Sequence, residues 1–323
     1  MKPAKILLIG GSGRSGTTVL SRILSMHPDL SNVPESRYLV DPDGIVDFYS
    51  SINNWSPYCY DHKVKRLESL LYDVAKDTLT RTAASYAAHF LSFMPWKLRP
   101  RYWHVRLSDY CPEFRNHVIE LIDSLTDFRY QGTWLGMPFM SKKALLYKGP
   151  CSQAEIGKSL RQFLLKTFGR ICERQCVSHY FEKNTWNHIW FDRILELLPE
   201  AKIVHIYRDP RDVVSSYCNQ IWMPSDPVQS ARVLRDLIKR WEEIKRRIPS
   251  KTYHEISLET LVEQPKDTLQ GICDFYEIPW NDALMEINLS KSNTGRWKAH
   301  FSSEEAREVE RILGDDIVRL GYE

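Results

Sequence analysis

The chain lacks a marked excess of charge of either sign. Its 44 lysine and arginine residues nearly balance 41 aspartate and glutamate residues, and the formal net charge is +3. That charge falls well short of one that would by itself indicate a nucleic-acid-binding protein, although a small anionic ligand is compatible with it. With 323 residues and 43% hydrophobic content, the chain has ample material for a large core, as one α/β domain or two smaller ones.

Long apolar runs and paired cysteine motifs are missing as well. No apolar run approaches the length that crosses a membrane, so no membrane partner is expected. The seven cysteines are odd in number and form no pair of CxxC elements, which predicts neither a complete disulfide framework nor a zinc site. An apolar strand pattern begins within a few residues of Met1 and leaves no room for a secretory signal ahead of it. We therefore expect reduced cysteines and a cytoplasmic protein.

The first informative pattern is a strand, a glycine-rich loop and a helix. The apolar run 6–9 has the character of a buried strand, and helical spacing of apolar residues starts at Val19. The start of a helix leaves several backbone N–H groups unpaired at the positive end of its dipole. This unit therefore predicts a phosphate site between residues 10 and 18.

The loop lacks the lysine of a nucleoside-triphosphate loop. Gly11 and Gly16 have the spacing of such a loop, but Thr17 stands where a lysine would reach the β- and γ-phosphates. The positive charge lies at Arg14 instead, whose planar guanidinium suits a terminal monophosphate. Hydroxyl groups that can add neutral donors are carried by Ser15, Thr17 and Thr18. A Mg²⁺-linked triphosphate is not needed, and no metal is expected.

The segment from Gly11 to Thr18 resembles the 5′-phosphosulfate-binding loop of sulfotransferases that use 3′-phosphoadenosine-5′-phosphosulfate (PAPS). The resemblance covers residues 5–40 and 180–323. It implies an α/β fold with a P-loop-like parallel sheet flanked by helices, interrupted by a long, mostly helical insertion. It implies one domain over 1–323, in which 1–50 and 180–323 form the nucleotide-binding core and 51–179 shape the acceptor site. The residues implied to hold the 5′-phosphate are Arg14, Ser15, Gly16, Thr17 and Thr18.

A carboxylate follows the loop at a spacing that extends the resemblance. We expect Leu30–Val33 to be the next parallel strand, which would place Glu35 past its carboxyl end, where α/β sheets hold ligands. Arg37 is available to pair with this carboxylate. Glu35 stands 21 positions after Arg14. This spacing resembles that in tyrosylprotein sulfotransferases and their bacterial relatives, in which a Glu-x-Arg element follows the phosphate loop and its glutamate is the catalytic base. Pro34 departs from the animal enzymes, which carry a second glutamate there, and weakens the case for a protein-tyrosine acceptor.

The stretch 181–188 resembles the Glu-Lys-Thr-Pro element of bacterial sulfotransferases, with Asn184 and Thr185 in place of Thr-Pro. The resemblance implies that Lys183 is catalytic. Negative charge builds on the oxygen between the leaving phosphate and sulfur, and an ammonium beside that oxygen stabilises the transition state. His188 is the rival to Glu35 as base, because some branches of the superfamily use histidine, although a lone histidine on a helix is more often structural.

A second strand-to-helix motif runs from Ala201 to Tyr217. Apolar strand residues lead to Arg208, and Asp209 and Pro210 are typical of an N-cap and a first helical position, so another helix start is expected to face an anion. The motif resembles the 3′-phosphate-binding strand and helix of the family, with Ser216 eight positions after the first arginine. The resemblance assigns the 3′-phosphate to Arg208 and Ser216.

The carboxyl-terminal part adds two further likenesses. Leu258–Pro265 resembles the family's Tyr-Glu-Asp-Leu element, with Leu258 in place of a tyrosine that contacts adenine or ribose. Ser292–Lys298 resembles the Gly-Arg-Trp loop that folds over the nucleotide. Arg296 is thereby implied to add to the 3′-phosphate site, with a solvent-exposed loop arginine as the alternative.

Helical spacing predicts further helices over residues 63–93, 114–125, 231–248 and 303–313. Residues 96–106 interleave cationic and aromatic side chains without an acidic residue. They would either contact a ring-bearing or anionic acceptor or form a solvated edge whose aromatic residues point inward.

Together these patterns predict an enzyme, a PAPS-dependent sulfotransferase. It would transfer a sulfuryl group to a hydroxyl or amine of a small secondary metabolite and release 3′-phosphoadenosine-5′-phosphate (PAP). A protein tyrosine or a carbohydrate is the alternative acceptor. A P-loop kinase would need a lysine at position 17, and a non-catalytic nucleotide-binding protein would keep the phosphate motifs without the base. No nucleic-acid partner is expected, and a homodimer stays open.

Overall fold

The computed structural model describes residues 3, 5–53, 55–75, 102, 105–134, 144–287 and 294–322. The strands are β1 (Ile6–Gly10), β2 (Phe128–Tyr130), β3 (Leu145–Tyr147), β4 (Tyr180–Lys183), β5 (Ala201–Tyr207) and β6 (Tyr253–Ser257). The helices are α1 (Thr17–Leu24), α2 (Ile45–Ser51), α3 (Pro57–Ala75), α4 (Phe114–Ser124), α5 (Gln153–Gln175), α6 (Phe191–Leu197), α7 (Pro210–Tyr217), α8 (Pro227–Lys245), α9 (Leu258–Glu263), α10 (Pro265–Tyr276), α11 (Trp297–His300) and α12 (Ser303–Arg319). Short 3₁₀ turns cover Leu107–Asp109, Asn187–Trp190, Ser250–Thr252 and Asp282–Met285.

These elements belong to two compact units. The first comprises Met1–Lys5, Val33–Tyr180 and Arg193–Pro199, and the second comprises Ile6–Asn32, Phe181–Asp192 and Glu200–Glu323. The first unit contains α2 to α5 and the antiparallel pair of β2 and β3. The second contains α1 and α7 to α12. The division into a nucleotide-binding core and an insertion over 51–179 stays a prediction.

A four-stranded parallel sheet in the order β4-β1-β5-β6 organises the fold. β1 and β5 pair from Ile6 opposite Ala201 to Gly10 opposite His205, and β5 continues in parallel to β6. All five β1 residues are buried, because helices or turns cover both faces of the sheet. The predicted α/β class with a parallel, P-loop-like sheet flanked by helices is confirmed.

One face of the sheet carries the main apolar cluster. Leu7 and Ile9 of β1, with Val204 and Ile206 of β5, contact buried side chains of α1, α9 and α10. Side chains alternate between faces along a strand, so these residues share one side. The helix after β1 is thereby fixed with its amino end at the carboxyl edge of the sheet.

The opposite face carries a network of polar side chains. Glu255 of β6 accepts hydrogen bonds from the Trp241 indole at 2.8 Å and from the Lys245 ammonium at 2.8 Å, both on α8. Its other contact is His205 Nδ1 at 3.1 Å. Although burial by itself would raise the pKa of Glu255, these partners hold it well below its usual range. The network anchors α8 to the sheet.

The segment beside the outer edge of β4 differs from the prediction. Leu30 forms only an isolated bridge, and residues 31–37 have no regular secondary structure, so the expected strand Leu30–Val33 is wrong. The Ser31 hydroxyl accepts from the Phe181 amide at 2.8 Å and donates to the Phe181 carbonyl at 3.1 Å. A side chain thus supplies both hydrogen bonds that a neighbouring strand would have supplied at this residue.

The predicted helices are present with shifted ends. α3 begins at Pro57 and is described as far as Ala75, so residues 76–93 and most of the cationic aromatic stretch 96–106 lie outside the described residues. α4 begins where predicted and ends one residue earlier, at Ser124. α8 begins earlier because Asp226 caps it, and α12 has Ser302 as its N-cap and extends to Arg319. Among the described helices, none combines the length and apolar character needed to cross a membrane.

Candidate active site

The glycine-rich loop lies at the carboxyl end of β1 and leads into α1, as predicted. Gly16 is the N-cap residue of α1 and has φ 102°, a left-handed conformation that glycine adopts without strain. No side chain caps this helix, so the N–H groups of its first turn lack an acceptor within the helix. The amino end of α1 therefore offers an anion site.

The side chains of the loop divide into buried and exposed groups. Ser15 and Thr17 are buried, and the Ser15 hydroxyl has no hydrogen-bond partner within the described part of the chain. Arg14 and Thr18 are exposed to solvent. Leu258, for which the resemblance implies a tyrosine in the family, packs against Gly16 so closely that a Cβ there would lie 2.8 Å from its Cδ1. Leu258 thus makes an apolar contact with the N-cap glycine of α1.

Helix α7 is fastened to the loop by two hydrogen bonds. Arg14 Nε donates to Ser216 Oγ at 2.8 Å, and the hydroxyl of the buried Tyr217 donates to the Ser12 carbonyl. The structure thus brings together the arginine of the first predicted phosphate site and the serine of the second. Tyr217 was missed by sequence reasoning, because its role depends on a partner 205 positions away.

The amino end of α7 differs from that of α1. Asp209 is the N-cap, as predicted, and its carboxylate accepts from the Arg211 amide at 2.9 Å and from the Arg211 guanidinium. A carboxylate thus caps this helix start, and the expectation that the start also faces an anion stays a prediction. The neighbouring cation is Arg208, which is buried directly after β5.

Asp212 connects the second motif to the carboxyl-terminal loop. Its buried carboxylate contacts the Arg208 guanidinium at 3.2 Å and accepts from the Gly295 amide at 2.7 Å and the Trp297 amide at 3.1 Å. The loop segment Gly295–Trp297 is therefore held on α7 beside Arg208, and Arg296 lies between the two bonded amides with an exposed side chain. The only sequence signal for Asp212 was its place one helical turn after Arg208.

Two further contacts secure the same loop. The Arg211 guanidinium lies 4.6 Å from the centre of the Trp297 ring, within the range of a cation–π interaction. Ser215 Oγ and His300 Nδ1 are 2.6 Å apart. All contacts described here originate from α7, so this short helix positions the loop that the resemblance implies for the nucleotide.

Lys183 ends β4, and the turn that follows is tied to β1 and the loop. The Asn184 amide donates to the Ile9 carbonyl at 3.3 Å, and the Gly11 amide donates to the Thr185 carbonyl at 3.2 Å. Lys183 is half-buried. β4 is the direct neighbour of β1 in the sheet, so the strand that carries the lysine ends next to the strand that feeds the phosphate loop.

His188 is fully buried behind the loop. Its ring lies 5.2 Å from that of His205 in a stacked arrangement, and its Nδ1 is 3.0 Å from the Thr185 carbonyl. Burial, and then the neighbouring His205, lower the pKa of His188 well below its usual value. The ring is therefore neutral, with Nδ1–H donating to Thr185. Its burial supports a structural role rather than that of the rival base.

Glu35 belongs to the first unit and pairs with Arg37, as the spacing suggested. Glu35 Oε2 and an Arg37 guanidinium nitrogen are 2.5 Å apart, and the Glu35 side chain keeps 19% of its exposure. Arg37 also lies 3.9 Å from Asp41, whose carboxylate accepts from the Tyr102 hydroxyl at 2.9 Å. The glutamate is thus held in a fixed position while one part of its surface stays accessible.

The fold and the glycine-rich loop together define an α/β protein with an anion site at the carboxyl edge of its sheet. A family model described as the sulfotransferase family matches residues 7–282. The chain belongs to the sulfotransferase family, and the resemblance found in the sequence is confirmed at that level. The finer likeness to tyrosylprotein sulfotransferases stays a prediction. Within the described ranges, no group of three or more His, Cys, Asp or Glu side chains is placed to hold a metal ion.

Individual known proteins are similar at low identity. Sulfotransferase STF9 from Mycobacterium avium is 12% identical, with 100% of this chain and 78% of that chain covered and a TM-score of 0.49. The sulfotransferase domain of the Synechococcus PCC 7002 olefin synthase is 16% identical, with 96% and 88% covered and a TM-score of 0.44. An uncharacterised protein of Aquifex aeolicus is 24% identical over 121 residues, 34% of this chain, and this chain spans 15% of that relative's length.

We expect Asp212→Asn to loosen the carboxyl-terminal loop. The asparagine side chain has one acceptor oxygen where the aspartate carboxylate has two, and it lacks the negative charge opposite Arg208. A buried hydrogen-bonding partner left unsatisfied costs about 1–3 kcal/mol of stability. Trypsin should cleave after Arg296 or Lys298 about tenfold faster than in the wild type, as followed by mass spectrometry. Asp315→Asn, an exposed change on α12, is the control. Equal cleavage rates in both variants would contradict the role assigned to Asp212.

We expect the free energy of unfolding to fall as the pH drops below about 6.5, the ordinary pKa of histidine. The buried, neutral His188 has a lowered pKa in the folded state, so the unfolded chain binds the proton first, and stability is lost as the pH falls. The slope is about 1.4 kcal/mol per pH unit for each such group. Urea unfolding between pH 7.5 and 5.0 measures it. His188→Asn should flatten the slope, and an unchanged slope would show that His188 is protonated in the folded state.

Proposed function

We propose that this chain transfers a sulfuryl group from PAPS to a hydroxyl or amine of a small acceptor and releases PAP. The observation that carries the proposal is the hydrogen bond from Arg14 Nε to Ser216 Oγ. It joins the loop implied to hold the 5′-phosphate to the serine implied to hold the 3′-phosphate. A nucleotide with two separate phosphates uses both, whereas a triphosphate needs only the loop.

The loop itself fits an anion. Its helix start is uncapped, and the Ser15 hydroxyl is a buried donor without an acceptor in the described residues. A buried donor of this kind gains a hydrogen bond when an anion arrives, and this favours binding. The residues proposed for the 5′-phosphate are Arg14, Ser15, Gly16, Thr17 and Thr18. Those proposed for the 3′-phosphate are Arg208, Ser216 and Arg296.

The transfer step needs a base and a stabilised leaving group. In the proposal, Glu35 takes the proton of the acceptor group while the acceptor oxygen or nitrogen forms its bond to sulfur. The bond from sulfur to the bridging oxygen breaks, and its electron pair stays on the 5′-phosphate. Lys183 stabilises the charge that develops on that oxygen.

A small metabolite is the acceptor we favour over a protein tyrosine, because Pro34 replaces the second glutamate of the tyrosylprotein enzymes. A carbohydrate is the other alternative. The proposal includes a cytoplasmic location, a single domain with a substrate-shaping insertion over 51–179, and no nucleic-acid partner. A homodimer is left open.

Isothermal titration tests the donor. We expect micromolar binding of PAP, weak binding of ATP with Mg²⁺, and at least a tenfold loss of PAP affinity in Arg208→Ala, because a charge-assisted hydrogen bond is worth about 1.5–3 kcal/mol. Arg208→Lys, which keeps the charge, should retain part of the affinity. Arg311→Ala removes an exposed arginine of α12 and should leave PAP binding unchanged. Tighter binding of ATP than of PAP, or an unchanged PAP affinity in Arg208→Ala, would contradict the proposed donor and favour a P-loop kinase or a non-catalytic nucleotide-binding protein.

Substitution of Glu35 tests the base. In both Glu35→Gln and Glu35→Ala we expect kcat with the best acceptor of a phenol and alcohol panel to fall by about 10²–10⁴, because neither side chain accepts a proton. The affinity for PAP should stay within about twofold of wild type, since Glu35 has no proposed contact with the nucleotide. The exposed Glu263→Gln serves as control. Wild-type turnover in Glu35→Ala would refute the assignment.

A further inference from the structure

The Thr185 carbonyl accepts two hydrogen bonds beside the phosphate loop. The Gly11 amide, which belongs to the loop, donates to it at 3.2 Å. The second donor is Nδ1–H of the buried His188, at 3.0 Å. Thr185 follows Lys183, the lysine proposed for the leaving oxygen, by two residues. One carbonyl therefore connects a histidine ring, the phosphate loop and the turn at the end of β4.

The backbone of His188 also packs directly against the end of β1. A Cβ on Gly10 would lie 2.7 Å from the His188 backbone nitrogen and 3.0 Å from the His188 Cβ. The shorter distance leaves no room for a Cβ, so a glycine is needed where the two backbones approach each other. The Asn187 side chain adds a hydrogen bond from its Nδ2 to the Ile9 carbonyl at 3.1 Å. The turn that contains His188 is thus fixed on the strand that leads into the loop.

Packing alone does not account for a histidine at this position. Its ring stacks on His205 at 5.2 Å and meets Trp241 edge to face at 6.0 Å, and an apolar side chain could make similar contacts. A buried polar ring needs hydrogen bonds to offset its desolvation. Within the described part of the chain, His188 Nε2 has no such partner, whereas Nδ1 has the Thr185 carbonyl. The contact at Nδ1 is therefore what distinguishes histidine from an apolar residue here.

This contact joins two parts of the site that the proposed transfer must hold at a fixed separation. The loop is proposed to hold the 5′-phosphate, and Lys183 is proposed to stabilise the oxygen that leaves with it. β4, which ends at Lys183, is the direct neighbour of β1. Through the Thr185 carbonyl, His188 holds the ends of these two strands together. A misplacement of about 1 Å in such a constellation can greatly reduce its catalytic effect.

We infer that His188 is a positioning residue of the proposed transfer, because its Nδ1–H fixes the Thr185 carbonyl that in turn fixes the Gly11 amide of the phosphate loop. This inference rests on the proposed function. It gives His188 no contact with the nucleotide or the acceptor, and the imidazole neither takes nor gives a proton during the reaction. What the side chain supplies is a neutral N–H donor on a rigid, buried ring.

Two substitutions separate the hydrogen bond from the packing. His188→Asn keeps an N–H donor near the place of Nδ1 and loses the ring, whereas His188→Leu keeps a buried apolar side chain and loses the donor. We expect His188→Asn to bind PAP within about twofold of wild type and His188→Leu to bind it about five- to tenfold more weakly, because one hydrogen bond is lost. Isothermal titration at pH 7.5 measures both affinities.

The stability of the two variants should follow the opposite order. Leucine fills the space in the core, and asparagine leaves a cavity there, so urea should unfold His188→Asn at a lower concentration than His188→Leu. A residue needed only for packing would give the same order in stability and in PAP affinity. Opposite orders therefore identify positioning through the hydrogen bond.

His254 provides a matched control. It is a half-buried histidine of β6, which β5 separates from β1, and its ring stacks on Phe275 at 5.4 Å. Both His254→Asn and His254→Leu should keep the wild-type affinity for PAP, because this ring is bonded to no part of the phosphate loop.

A measurement on the wild type does not depend on how the variants fold. Nuclear magnetic resonance of protein with isotopically labelled histidine reports which ring nitrogen of His188 carries the proton, with the signals assigned by their absence in His188→Asn. We expect the proton on Nδ1. Its resonance should shift when PAP saturates the protein, because the Thr185 carbonyl is shared with the loop.

Three results would overturn the inference. The first is wild-type PAP affinity in His188→Leu. The second is a loss of PAP affinity in His188→Asn as large as that in His188→Leu, which would assign the effect to packing. The third is a proton on Nε2 of the wild-type ring, or an Nδ1–H resonance that PAP leaves unchanged. Failure of the wild type to bind PAP at all would instead refute the proposed donor, so the two failures are distinguishable.

Discussion

The hydrogen bond between Arg14 and Ser216 is the contact on which the rest of the site depends. It crosses 202 positions of sequence and fixes α7 against the phosphate loop. Once α7 is placed, Asp212 on its buried side fixes both Arg208 and the segment Gly295–Trp297. The site is therefore a series of contacts, from loop to helix to carboxyl-terminal segment, in which each element positions the next.

Charge is distributed unevenly along this series. Arg208 is buried and already paired with Asp212, so in the proposed site an anion would share a guanidinium whose desolvation cost is already compensated. Arg14 is exposed, and a neutral hydroxyl holds it rather than a carboxylate. An exposed cation with a neutral partner keeps more of its attraction for a ligand than one that is tied to an acid. The two arginines are thus suited to different tasks. The exposed Arg14 suits the capture of an anionic ligand, and the buried Arg208 suits its positioning.

Local patterns in the sequence predicted the parts of this site that are local in the fold. The strand, loop and helix at residues 6–24 and the capped helix after Arg208 follow from periodicity and residue type within short windows. The edge of β4 could not be predicted, because Ser31 satisfies Phe181 with a side chain where a strand was expected. Tyr217 and the loop contacts of Asp212 were missed for the same reason, since their partners lie 205, 83 and 85 positions away. The sequence left His188 open between a structural role and that of the rival base, and its burial against His205, which supports the structural role, could not be predicted from local patterns.

The bond between Ser31 and Phe181 also has a consequence for association between copies of this chain. An edge strand usually presents free N–H and C=O groups, which can recruit a strand of another molecule and start aggregation. On β4, the outward-facing donor and acceptor of Phe181 are both occupied by one hydroxyl. An incoming strand would have to displace Ser31 before it could form its first pair of hydrogen bonds at this residue. The Ser31 side chain thus blocks intermolecular strand pairing at Phe181.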